Sequence, residues 1–170
     1  MIKFKWILTK FLILSTGGVL LHYLYDIFGE SVFVAPFSGV NESTAEHMKL
    51  LYFPFLAVTI IESRFKTEPY FWQAALKGIS SGLVTIPVLF YTYKGVLGFS
   101  ADWFNITIFF IAAAVTVIVE SKAIKKESCL ISSSLSKILL FSIGILFMVF
   151  TFFPPTIGLF QDPVTGGYGI

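Results

Sequence analysis

His22 and Asp26 stand four residues apart, so on a helix their side chains stack on one face. An imidazole beside a carboxylate suits metal ligation or proton transfer, with the carboxylate orienting the ring. The same pair is also what two side chains reaching interfacial water would look like, and spacing alone does not separate the two. Ser15 and Gly18 continue that face toward the middle of the segment, as expected of a stripe turned to other helices instead of lipid.

A denser cluster follows at Asn41-Glu42-Ser43-Thr44-Ala45-Glu46-His47-Met48-Lys49, ahead of an apolar run. Ser43 and Glu46 have capping-box spacing: the serine caps a helix and the glutamate reaches back to its amide. Glu42 and Glu46 also suit the positive end of that helix. Capping leaves Asn41, His47 and Lys49 unexplained. His22, Glu42, Glu46 and His47 together would offer mixed nitrogen and oxygen donors to a divalent metal. Glu46 and His47 are the candidate general bases. No spacing such as HExxH marks the set, and Asn41-Glu42-Ser43 as a glycosylation triplet is too common to weigh.

The third concentration is the C-terminal stretch Phe160-Gln161-Asp162-Pro163-Val164-Thr165-Gly166-Gly167-Tyr168-Gly169, rich in turn formers. Phe160 and Tyr168 are aromatic anchors that a loose tail would not need. The stretch is expected to fold over the end of the protein that carries the 41–49 cluster. Asp162 and Tyr168 thereby join His22, Asp26, Asn41, Glu42, Glu46 and His47 as candidate binding residues.

The elements that position these groups follow from composition. Of 170 residues, 56% are hydrophobic, 18% aromatic and only 13% charged, against roughly 25% charged in a soluble domain. Lipid is the natural solvent for that excess, which identifies an integral membrane protein. Spans are expected near 6–28, 45–63, 70–93, 103–120 and 134–153, with a tail at 154–170. Backbone groups in hydrocarbon must be satisfied internally, so the spans are helices. The fold class is all-α, one five-helix transmembrane bundle over 1–170. Pro54 and Pro87 should kink the second and third helices. The N-terminal apolar run resembles a signal peptide but continues to Phe28, which favours an uncleaved anchor.

Ten basic residues (Lys3, Lys5, Lys10, Arg64, Lys66, Lys77, Lys122, Lys125, Lys126 and Lys137) fall on one side, with only Lys49 and Lys94 on the other. That asymmetry orients the N-terminus inside and the C-terminus outside. Trp6, Trp72 and Trp103 lie at segment ends, where indoles prefer the interface. Glu62 and Glu120 then lie at inner helix ends near Arg64, Lys66 and Lys122, and are expected as exposed interfacial charges. Hydroxyl and small residues recur along helices three and four (Ser80, Ser81, Thr85; Ala112, Ala113, Thr116), as close packing or a polar path would require. No basic run suits nucleic acid, and the single Cys129 excludes an intrachain disulfide and a cysteine zinc cluster.

Leu21-His22-Tyr23-Leu24-Tyr25, Val40-Asn41-Glu42-Ser43 with Glu46-His47-Met48-Lys49, and the 160–169 stretch together resemble a family of small bacterial multi-pass membrane proteins of unassigned function. The resemblance covers essentially the whole chain and implies a bacterial plasma-membrane location, but no activity, cofactor or partner. The residues themselves point to an acidic, histidine-containing site on the outer face that binds or transports a small cation or cationic solute. Metal-assisted hydrolysis at the outer leaflet, and an accessory subunit whose polar cluster only folds a loop, are the alternatives.

Overall fold

Each apolar run of the sequence becomes a helix in the computed structural model, which describes residues 4–125 and 131–170. Readings that involve Met1, Lys3, Lys126 and Cys129 fall outside the described residues. The helices are α1 (Phe4–Ile27), α2 (Thr44–Glu62), α3 (Phe71–Leu97), α4 (Asp102–Ala123) and α5 (Ser133–Phe152). Among the described residues there is no strand beyond an isolated antiparallel bridge between Gln161 and Tyr168. Four helices, α1, α3, α4 and α5, are long and apolar enough to cross a membrane.

The fifth differs for a physical reason. Glu46, His47 and Lys49 in the first turns of α2 lower its mean hydropathy, yet α2 is enclosed by its neighbours. It packs on all four other helices and buries Leu50, Leu51, Tyr52, Phe53 and Phe55. Its Glu46, Lys49 and Tyr52 find their polar partners within the protein, so it needs less apolar surface of its own. Tyr52 illustrates this: fully buried, it donates its hydroxyl to the Leu140 carbonyl of α5.

Small residues set how closely the helices approach. Gly17 of α1 faces Pro54, where an added Cβ would lie 2.9 Å from the proline Cβ. Between α3 and α4 the approach is closest. A Cβ on Gly78 would lie 2.8 Å from the Thr116 carbonyl, and one on Gly82 would meet the Thr116 hydroxyl and lie 3.0 Å from the Ala112 carbonyl. The hydroxyls along these helices bond back to their own turns: Thr116 to Ala112 at 2.8 Å, Thr85 to Ser81 at 2.7 Å and Ser81 to Lys77 at 2.8 Å. The hydroxyl and small-residue stripe is thus a packing seam at this point.

Gly82→Ile should therefore overpack the α3–α4 seam and destabilise the protein by at least ~1–3 kcal/mol. Gly95 has nothing within 4 Å of an added Cβ, so Gly95→Ala should leave the melting temperature in detergent unchanged or higher. Equal melting temperatures for Gly82→Ile and wild type would refute the seam.

Candidate functional site

After α1 the chain reverses through Gly29 and Glu30, both in the left-handed region at φ 63° and 60°. It turns again through Ser31–Ser38 and comes back to α1, where the Gly39 amide donates to the Leu21 carbonyl at 3.2 Å. Gly39 thereby sits against His22. Ser43 caps α2 as its spacing predicts, accepting from the Glu46 amide at 3.3 Å. The reciprocal arm of the capping box is replaced. Glu46 Oε2 accepts from the Val40 amide at 3.1 Å, and Asn41 Oδ1 takes the Ser43 amide at 2.9 Å.

The tail reaches the same place from α5. The Ala45 amide donates to the Leu159 carbonyl at 3.0 Å, and Asn41 Nδ2 donates to the Gly169 carbonyl at 3.0 Å. Gly169 has φ 66° and lies so near the Thr151 carbonyl and Pro154 that a side chain would not fit. Asp162 organises the tail itself. Its carboxylate accepts from the Val164 amide at 3.0 Å, the Thr165 amide at 3.3 Å and the Thr165 hydroxyl at 2.6 Å. Burial alone would raise this carboxyl, but the Thr165 hydroxyl and the amides of Val164, Thr165 and Glu42 outweigh it and hold Asp162 below its usual range. Tyr168 is half-buried and pairs by backbone with Gln161. Asp162 and Tyr168 thus shape the tail, and the Ala45–Leu159 and Asn41–Gly169 bonds hold it against the start of α2.

The 41–49 cluster divides into two parts with different physics. One is interior. Lys49 is fully buried, with Nζ 2.6 Å from Glu46 Oε2, 2.9 Å from the Ala35 carbonyl and 2.9 Å from Thr151 Oγ1. All three ammonium protons have acceptors, one each from α2, the 28–43 loop and α5. Glu46 is turned toward this pair and does not line the groove beside it.

The other part faces outward. Glu42 Oε1 lies 3.6 Å from His22 Nε2, and Glu42 Oε2 lies 3.6 Å from His47 Nε2. The two imidazoles are tilted neighbours, with ring centroids 5.7 Å apart. His47 Nδ1 is 3.0 Å from the Ser43 carbonyl, which only accepts, so that nitrogen carries the proton and Nε2 is presented to Glu42. His22, Tyr23, Asp26, Gly39, Val40, Asn41 and Glu42 line a shallow groove here. Glu42 is about half exposed, at 49% of its side chain. Among the described residues no group of three or more His, Cys, Asp or Glu side chains is placed so as to hold a metal ion. The cluster is an open set of two ring nitrogens and a movable carboxylate.

At the opposite end of the bundle, the expectation of exposed interfacial charge at Glu62 and Glu120 is corrected. Lys10 of α1 is 2% exposed and bridges Glu62 Oε2 and Glu120 Oε1, at 2.8 Å each. Glu120 is 1% exposed, and Glu62 also takes Lys66 at 2.9 Å and the Trp6 indole. Lys10 and Lys66 lie over the Trp6 ring at 5.1 Å and 3.7 Å. The sequence holds one signal of this: Lys10 sits one turn beyond Trp6, inside the apolar run and not at its edge. A lysine there needs a carboxylate from another helix.

Two outcomes follow from this geometry. Lys49→Met leaves Glu46 buried without its cation, which should cost on the order of 3–5 kcal/mol, read as a lowered melting temperature in detergent. Because the Asp162 carboxyl is depressed in the folded tail, the stability it adds is present above the unfolded-state value and is lost as pH falls through the folded value. The protection of residues 160–169 against hydrogen exchange, measured relative to the intrinsic rate at each pH, should therefore fall at acid pH in wild type, and in Asp162→Asn it should be low already at neutral pH.

Comparison with curated proteins and with solved structures returns no match. A profile described as a family of unknown function (DUF6512) matches residues 2–170. On that match over essentially its whole length, the chain belongs to the DUF6512 family.

Proposed function

We propose that this protein is a multi-pass protein of the bacterial plasma membrane that binds a small cation at its outer face, for retention or transport. In this reading all five helices cross, with the N-terminus inside and the tail outside. The basic residues support the orientation, since among the described residues all but Lys49 and Lys94 fall toward the end where α1 begins.

The observation that carries the binding reading is the position of Glu42 between two imidazoles. One oxygen, Oε1, is 3.6 Å from His22 Nε2 and the other, Oε2, is 3.6 Å from His47 Nε2, beyond hydrogen-bond range and close to the ~3.3–3.5 Å that separates neighbouring ligands of a tetrahedral ion with bonds near 2.0–2.1 Å. The hydrogen bond from His47 Nδ1 to a backbone carbonyl is the support that ligating histidines use to aim their other nitrogen. Asp26 and Asn41 line the same groove and add oxygen donors at its rim. A divalent transition ion such as zinc suits this donor set best. Lys49 engages Glu46, which takes that carboxylate away from general-base duty and favours binding over hydrolysis.

Isothermal titration of the detergent-solubilised protein with zinc should give saturable binding. Glu42→Gln and His47→Ala should each weaken it by at least ~100-fold, while Glu68→Gln, at the far end, leaves it unchanged. Affinity should fall as pH is lowered, because protons compete for the imidazoles. Identical isotherms for wild type and both site variants would sink the proposal.

A further inference from the structure

Away from the tail, a line of charged side chains runs from the surface into the bundle. Lys66 Nζ is 2.9 Å from Glu62 Oε1, Glu62 Oε2 is 2.8 Å from Lys10 Nζ, and Lys10 Nζ is 2.8 Å from Glu120 Oε1. Side-chain exposure falls along it from 20% at Lys66 and 13% at Glu62 to 1% at Lys10 and at Glu120. The line ends on Glu120 Oε2, which is buried and has no hydrogen-bond partner.

The remaining carboxylate oxygens of the cluster are satisfied. Glu62 Oε1 accepts from the Trp6 indole and Lys66, and Glu62 Oε2 and Glu120 Oε1 both accept from Lys10. Only Glu120 Oε2 is left, and a charged oxygen without a donor in so dry a place is costly. A metal ion is a poor remedy. It would sit beside the Lys10 ammonium, already 2.8 Å from the sister oxygen, and hard cations ask for several oxygen ligands at once. Space is also short, since α3 meets Glu120 at Gly78, where even a Cβ would lie 2.7 Å from the Glu120 Cβ. A proton needs neither room nor further ligands. Bound at Oε2, it neutralises the carboxyl while Oε1 still accepts from Lys10.

We infer that Glu120 is a proton-binding site, loaded at Oε2 from solvent at the partly exposed Glu62 rim. Loading forms one O–H bond with a proton taken from water and breaks no bond of the protein. The charged groups around it are few. Lys10 faces it from α1 and Glu62 from α2, with Lys66 beyond Glu62; α3 presents Gly78, and α5 does not contact α4 among the described residues. When Glu120 is neutral, Lys10 keeps its hydrogen bond to Oε1 but its charge is balanced by Glu62 alone, so the attraction that ties α1 to α4 weakens relative to the one that ties it to α2. This site is independent of the cation reading at the tail end.

The test is infrared difference spectroscopy of the purified full chain across a pH titration. Wild type should show the carbonyl stretch of a buried protonated carboxyl group, rising as pH falls and shifting in heavy water. The band should be lost in Glu120→Gln and kept in Glu62→Gln and in Glu30→Gln, a control at the other end of the bundle. If Glu120→Gln does not fold, Glu120→Asp should move the band. Absence of any such band in wild type, its persistence in Glu120→Gln, its loss in Glu62→Gln alone, or an unshifted band in Glu120→Asp overturns the assignment. So does a band that does not titrate, or one abolished by sodium or potassium at constant pH.

Discussion

The tail end of this bundle depends on the ammonium of Lys49. It is fully buried, and three separate stretches of chain must each deliver an acceptor for it to stay charged. Glu46 supplies the countercharge, the Ala35 carbonyl brings in the 28–43 loop, and Thr151 brings in the end of α5. Because the Thr151 hydroxyl also bonds back to Phe147 at 3.0 Å, the lysine reaches the α5 backbone through a rigid side chain. Once the loop is held this way, Gly39 lies on α1, and Asn41 and Glu42 are carried to the His22 side. The outward groove is thus a by-product of an inward charge that had to be met.

The same constraint shapes the other end with different partners. There the cation comes from α1 and the carboxylates from α2 and α4, with the Trp6 ring covering them. A buried ion pair is weak evidence for net stability, since desolvation offsets much of its attraction. Its stronger effect is on arrangement. A helix rotated out of place would leave a charge alone in an apolar interior, so Lys10 and Lys49 penalise wrong packings at the two ends independently.

What could be read from the sequence was whatever depends on near neighbours or on alternation along the chain. Ser43 as a cap is local chemistry, and it is where its spacing put it. The meeting of the 28–43 loop with the 154–170 tail follows from alternating helix direction, and the Asn41–Gly169 bond is its outcome. The back-reaching arm of Glu46 was mistaken because Asn41 and Val40, just upstream, compete for the same roles. Glu62 and Glu120 were read as exposed interfacial charges because glutamates near helix ends look interfacial in one dimension. Only the approach of three helices covers them. Glu42, just ahead of α2, and Glu46, in its first turn, are four residues apart, and nothing in their types indicates which faces in.

The enclosure of α2 also bears on how the protein is made. Released sideways from an insertion channel on its own, a segment bearing Glu46, His47 and Lys49 would meet acyl chains with its polar side uncovered. Its three Lys49 acceptors include one that is synthesised last, on α5. Lys49 therefore gains its full set of acceptors only once the last helix is in place.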